Sequence, residues 1–148
     1  MEQRSQAVLL ADVLGGSRTL GARQPQSDSQ WHEVIERGLP YRSIHSLGEW
    51  AGLSDIGIGE VIGIAKSTLI RRRSHGRFTV DESDKIYRFG RILSLARLAM
   101  GNSENIAAWL NEPNLALNRK RPLSLVRTEA GAREVEATLG RFIFGGYS

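Results

Sequence analysis

Apolar residues recur along this chain at spacings of three and four, and no stretch alternates apolar with polar residues as a half-buried strand would. The pattern predicts an all-α protein. Trp31, Val34 and Ile35 form one stripe, with Ser29 as N-cap and Gly38 as stop, giving a short helix to Arg37. After the turn at Pro40, Ile44, Leu47, Trp50 and Ala51 define a helix from about Ser43 to Ala51, broken by Gly52. Ser54 and Asp55 cap the next helix, which runs through Ile56, Val61 and Ile62. Its glycines each cost about 1 kcal/mol relative to alanine, and close packing against a neighbouring helix is a reason to accept them. Gly63 reads as a turn, because glycine accepts the positive φ that ends one helix and starts another at an angle. Ile64 would plug the space between the two. A further helix begins near Lys66 or Ser67, with Thr68, Arg71 and Arg72 on one face and Leu69 and Ile70 towards a core.

Beyond the loop Ser74-His75-Gly76, Thr79 or Asp81 caps a long helix reaching about Met100. Ile86, Phe89, Leu93, Ala96 and Met100 make its stripe, widened by Tyr87, Leu95, Leu98 and Ala99, so this helix is expected to be central. Arg88, Arg91 and Arg97 lie off the stripe and are expected to be solvated. Asn102-Ser103 caps a helix from Glu104 to Asn111 whose Ile106, Trp109 and Leu110 face inward, and Pro113 ends it. A connector, Asn114 to Pro122, leads to a short helical turn, Leu123 to Val126. Thr128 caps the last helix, where Val135, Leu139, Phe142 and Ile143 repeat at helical spacing. Gly145-Gly146 stops it and leaves Tyr147-Ser148 as a free tail. At the other end, Val8, Leu9, Leu10, Val13 and Leu14 suit a short helix ended by Gly15-Gly16. Ser17 to Ser29 is rich in Ser, Gln, Gly and Arg, so residues 1–28 read as a flexible arm.

Charge sharpens this picture. The 148 residues carry a formal +4 and a sequence pI of about 10.0. Residues 1–63 hold 5 basic and 8 acidic residues, residues 64–101 hold 9 and 3, and residues 102–148 hold 6 and 5. The positive field therefore sits on and just after the turn at Gly63, as a nucleic-acid footprint should. A helix, a glycine turn and a second helix bearing hydroxyls at its start and arginines further along is the shape of a helix-turn-helix, at about 55–74, whose second helix enters a DNA major groove. The candidate DNA contacts are Lys66, Ser67, Thr68, Arg71, Arg72 and Arg73. Proteins of this kind commonly bind paired half-sites as dimers, so a homodimer is expected.

Other chemistries find no support. The chain has no cysteine, which excludes disulfides and thiolate metal sites and fits a reducing cytoplasm. No apolar run is long enough to span a bilayer, and Ala7 to Leu14 is short and interrupted by Asp12. His32, His45 and His75 are scattered without metal-ligand spacing. Gly57-Ile58-Gly59 is followed by Ile62 where a dinucleotide fingerprint needs glycine. No enzyme activity, metal or cofactor is expected.

The second half carries a more specific signal. It contains Asp81-Glu82-Ser83-Asp84-Lys85-Ile86-Tyr87-Arg88, then Ala108-Trp109-Leu110, Pro113-Asn114-Leu115-Ala116-Leu117 and Pro122-Leu123-Ser124-Leu125. Thr128-Glu129-Ala130-Gly131, Val135, Leu139-Gly140-Arg141 and Gly145 follow in order. From about residue 40 to 145 the chain resembles the Xre/ParS-type antitoxins (the MbcA/ParS/Xre family) of bacterial toxin–antitoxin pairs whose toxin has a RES domain. The resemblance implies an Xre-like helix-turn-helix core that binds operator DNA and represses its own operon, followed by a small helical toxin-binding unit. It further implies a partner that degrades NAD and an antitoxin that blocks the cleft where NAD would sit. The domains are then expected at 1–28 (arm), 29–101 (DNA-binding) and 102–148 (toxin-binding). Phe142, Ile143, Phe144 and Tyr147 exceed what one helical stripe can bury, which suggests a partner surface. The expected toxin-binding set is Phe142, Ile143, Phe144, Gly145, Gly146, Tyr147 and Ser148. Two features depart from the family pattern. Asn118-Arg119-Lys120-Arg121 stands where a glycine-containing turn is usual, and Ala65 stands where Ser or Thr is the usual N-cap. The rival reading is a helix-turn-helix repressor without a toxin, its carboxy-terminal lobe serving dimerisation.

Overall fold

The structure, a computed structural model, describes residues 2–145, with side chains described from Val8 onward. The described residues form the α-helices α1 (Glu2–Val13), α2 (Gly16–Leu20), α3 (Asp28–Arg37), α4 (Arg42–Ala51), α5 (Asp55–Ile62), α6 (Lys66–His75), α7 (Val80–Met100), α8 (Ser103–Asn111) and α9 (Glu129–Ile143). Two 3₁₀ turns, Leu115–Leu117 and Pro122–Leu125, lie between α8 and α9. Among the described residues the only β pairing is two isolated bridges, Pro40 with Arg77 and Asn114 with Lys120. The all-α expectation holds.

Local chemistry fixes most helix starts. Ser54, Asn102 and Thr128 each accept a backbone amide three residues on. Thr79 forms a full capping box with Glu82, which resolves the choice between Thr79 and Asp81 at the start of α7. The start of α3 differs from expectation. Its cap is Ser27, which accepts the Gln30 amide at 3.2 Å, so the helix begins at Asp28 rather than near Trp31. α6 runs through Ser74 and His75, which had been expected in a loop, to Gly76 in the left-handed region.

α7 is the central rod. Ile86, Phe89, Ile92, Leu93 and Ala96 are fully buried along it, and α1, α3, α4, α5, α8 and α9 all pack against it. Part of the arm expected to be flexible over residues 1–28 is packed instead. Leu10, Ala11, Val13 and Leu14 of α1 are buried in the common core. The device is Gly90 in α7: a methyl there would lie 3.1 Å from Leu10 Cδ1 and 3.2 Å from Leu14 Cδ2, so glycine lets α1 cross closely. The segment Ser17 to Ser29, expected as a loop, contains most of α2 and the first two residues of α3.

The arginines of α7 expected to be solvated are engaged. Arg97 lies 3.5 Å from Asp12 of α1, and its guanidinium stands 4.5 Å from the centre of the Trp50 ring. Arg88 pairs with Glu129 at 2.9 Å and Arg91 with Glu136 at 2.9 Å, both reaching from α7 to α9. Burial alone would raise the Glu129 carboxyl. Hydrogen bonds from Arg88 and Arg133, with the charges of Arg91 and Arg88, outweigh it and hold the group below its ordinary value.

Candidate functional site

The turn between α5 and α6 is built on two glycines with different jobs. Gly63 sits at φ 86°, ψ 40°, and its amide donates to the Gly59 carbonyl at 2.8 Å. The Ile64 amide donates to the same carbonyl at 2.8 Å, and the Ile64 side chain is buried as expected. Gly59 is needed for space. A methyl there would lie 2.8 Å from the Ile64 carbonyl oxygen and 2.8 Å from Leu69 Cδ1. Two further cations hold the turn from behind. Lys85 of α7 donates to the Gly63 carbonyl at 3.1 Å, and Arg127, just before α9, donates to the Glu60 carbonyl at 2.6 Å.

On α6 itself, Leu69 is buried and Thr68 is half-buried, accepting the Arg71 guanidinium at 3.3 Å. Lys66, Ser67, Arg71 and Arg73 are exposed. Arg72, expected beside Arg71 as a DNA contact, turns inward instead. It grips Glu82 with two hydrogen bonds, at 2.7 and 3.1 Å, while the same carboxylate accepts the Thr79 amide at 3.0 Å. Burial would raise the Glu82 carboxyl, but the hydrogen bonds from Arg72 and Thr79 and the charge of Arg72 hold it below its ordinary value. Arg72 therefore fastens α6 to the first turn of α7. Ile70 departs in the opposite sense: expected to face the core, it is 60% exposed. Ala65 provides no side-chain cap, so α6 starts at Lys66 without one.

Beside α6, the start of α5 is tied to α4. The Tyr41 hydroxyl donates to Asp55 at 2.9 Å, and His45 Nδ1 lies 3.3 Å from the other carboxylate oxygen. Burial first, then the hydrogen bond to Asp55 and its charge, push the Tyr41 phenol up to about 12 against the opposing charge of Arg73. The network orients α4 and α5 beneath an open groove lined by Leu53, Ile56, Lys66, Ile70 and Arg73.

The other candidate surface lies at the end of α9. Phe142 and Phe144 are 59% and 57% exposed, Ile143 is half-buried and Gly145 is exposed. Phe142 borders a narrow apolar slot formed by Met100, Trp109, Thr138 and Leu139. Trp109 is thus partly buried rather than wholly within the core. Leu115, on the adjoining 3₁₀ turn, is 81% exposed. Gly146, Tyr147 and Ser148 of the expected set lie outside the described residues. The turn that departs from the family pattern keeps a left-handed backbone without glycine, with Asn118 at φ 55° and Arg119 at φ 65°.

Sequence reasoning missed Ile70, Lys85 and Arg127. Only Ile70 left a trace, as the apolar residue one turn after Lys66 on a helix with few apolar residues.

Comparison with known proteins matches both halves of the chain. Residues 30–91 match the model of the antitoxin Xre-like helix-turn-helix domain. Residues 94–145 match that of the antitoxin Xre/MbcA/ParS C-terminal toxin-binding domain. Antitoxin Xre of Yersinia enterocolitica is 37% identical over 118 residues, covering 78% of this chain and 80% of that protein. Antitoxin Xre of Photorhabdus laumondii is 32% identical over 130 residues, covering 86% and 87%. A third Antitoxin Xre, from Pseudomonas putida, is 27% identical over 115 residues, covering 76% and 70%. With an Xre-like helix-turn-helix domain over residues 30–91 and a toxin-binding domain over residues 94–145, the chain belongs to the Xre/MbcA/ParS antitoxin family and is a non-enzymatic antitoxin.

Proposed function

We propose that this antitoxin neutralises a RES-domain, NAD-degrading toxin and, as a homodimer in the cytoplasm, represses its own operon by binding operator DNA. The observation that carries the reading is the pairing, on one chain, of an exposed basic α6 face with a toxin-binding unit that leaves Phe142 and Phe144 more than half exposed. Large exposed aromatics beside a preformed slot suit a protein interface. Lys66, Ser67, Arg71 and Arg73 suit phosphate and base-edge contacts, with Thr68 positioning Arg71. Arg72 serves that surface indirectly, through Glu82. The segment Gly145 to Ser148, with the aromatic Tyr147, completes the proposed toxin contact.

Co-expression with the neighbouring open reading frame tests the proposal. The two chains should co-purify, and growth and cellular NAD should be restored relative to the toxin alone. Replacing Phe142 and Phe144 with alanine, or deleting Gly145 to Ser148, should release toxin activity while leaving binding to the upstream DNA intact. A neighbouring product that neither binds this chain nor lowers NAD would refute the RES assignment. Failure to bind the DNA upstream of its own operon would refute autorepression. The matched toxin-binding domain speaks against a plain repressor without a toxin.

A further inference from the structure

Of the two apolar residues of α6, Leu69 is buried and Ile70 is 60% exposed. Leu69 and the Arg72–Glu82 pair set the inward side of the helix, so Ile70 contributes little to holding it in place. Its neighbours at helical spacing are Lys66 and Ser67 one turn before, Arg73 and Ser74 one turn after, and Arg71 beside it, all exposed. The outward face is thus a branched apolar centre ringed by hydrogen-bond donors. Ile56 of α5, 41% exposed, borders the same groove.

Such a face suits a DNA major groove. Lysine, arginine and serine meet phosphates and the acceptor edges of bases, and the apolar group a base presents there is the C5 methyl of thymine. A second copy of this chain is the weaker candidate, because pairing α6 with itself would set Lys66, Arg71 and Arg73 against their own like charges. Resting on the proposal that α6 faces operator DNA, we infer that Ile70 is a specificity-determining residue that reads a thymine methyl in each half-site. The arginines and lysine then supply salt-dependent affinity, and Ile70 supplies discrimination without a phosphate contact.

The test uses the full-length protein and a duplex enriched by it from a random-sequence pool. Each thymine is replaced in turn by deoxyuridine, which removes the methyl and preserves base pairing. Wild type should lose about fourfold in affinity at one or two positions per half-site, the value of one buried methyl. Ile70→Val should keep that sensitivity. Ile70→Ala should bind the thymine duplex about as weakly as wild type binds the deoxyuridine duplex, lose sensitivity at those positions, and keep the wild-type salt slope. The exposure of Ile70 means the alanine variant should fold, which circular dichroism checks. Wild-type indifference to deoxyuridine at every position would overturn the inference while leaving DNA binding standing, as would Ile70→Ala retaining the sensitivity. A change in oligomeric state of Ile70→Ala in sedimentation would also overturn it, by placing Ile70 against a second copy. If wild type enriches no sequence and binds duplex no better than Arg71→Ala, the DNA-facing reading of α6 itself fails.

Discussion

Gly59→Ala asks whether the helix-turn-helix depends on close approach of backbone to backbone. At an ordinary helix-interior position alanine is favoured over glycine by about 1 kcal/mol. At Gly59 the added methyl would stand 2.8 Å from both the Ile64 carbonyl oxygen and Leu69 Cδ1. Neither neighbour is free to retreat. The Ile64 carbonyl belongs to the turn locked by the Gly63 and Ile64 amides on Gly59, and Leu69 is only 2% exposed. Overpacking of this kind costs about 1–3 kcal/mol, which offsets or exceeds the propensity gain. Gly140→Ala is the matched control, because it lies inside α9 and a methyl there meets nothing within 4 Å. The difference between the two variants cancels the propensity term, leaving Gly59→Ala less stable than Gly140→Ala by about 1–3 kcal/mol. In a domain of this size each kcal/mol moves Tm by roughly 4 °C. Urea and thermal unfolding of both variants measure the difference, and a DNA-binding titration should weaken for Gly59→Ala alone. Equal stabilisation by the two substitutions would refute the close-approach argument.

Arg71→Ala should weaken DNA binding and lower the salt slope by about 0.9 per lost phosphate contact with Tm unchanged, whereas Arg72→Ala should lower Tm first; salt titrations and melts on both variants separate the roles. Arg119→Gly should stabilise the protein by about 1 kcal/mol, because glycine occupies the left-handed region without the strain a side chain meets at φ 65°; denaturant unfolding checks it. Glu82 and Glu129 have carboxyls held below the ordinary value of 4.5. Their contribution is therefore fully present above that value and is lost as pH falls through the depressed folded values. Glu82→Gln combined with Glu129→Gln should flatten the acid limb of a stability–pH profile, and an unchanged limb would contradict the pairing.

How much of this was legible depends on how local each cause is. Ser54, Thr79, Asn102 and Thr128 cap amides three residues away, so a short window of sequence contains the whole interaction. The helical spacing of Val8 to Leu14 predicts a helix there but not its burial, because the feature that accepts α1, Gly90, lies far along the chain and has no side chain to advertise the contact. Arg71 and Arg72 are adjacent and chemically identical. Arg72 shares the inward side of α6 with Leu69, three residues before it, and there it meets Glu82, which the Thr79 capping box holds in place. Ile70 was misplaced for a related reason: helical spacing puts it near Leu69, but the buried side of α6 is narrow because the helix packs mainly on α5.

The two family models meet inside α7, one ending at residue 91 and the other beginning at residue 94, yet α7 runs unbroken from Val80 to Met100. The join is therefore a helix, not a linker. Side chains on the part of α7 before that join reach both domains in sequence. Glu82 holds Arg72 of α6, Lys85 holds the Gly63 carbonyl, and Arg88 and Arg91 hold Glu129 and Glu136 of α9. Steps of three residues drift by about 60° per step around a helix of 3.6 residues per turn. This row consequently winds from the helix-turn-helix side of α7 to the α9 side. Arg127 closes the circuit, since its carbonyl accepts from Arg88 at 3.4 Å and its guanidinium donates to Glu60 of α5 at 2.6 Å. A partner that displaced α9 would have to break Arg88–Glu129 and Arg91–Glu136, and a shift of Arg127 would unfasten the back of the turn that carries α6. The geometry thus gives the toxin-binding unit a direct physical connection to the pitch of α6.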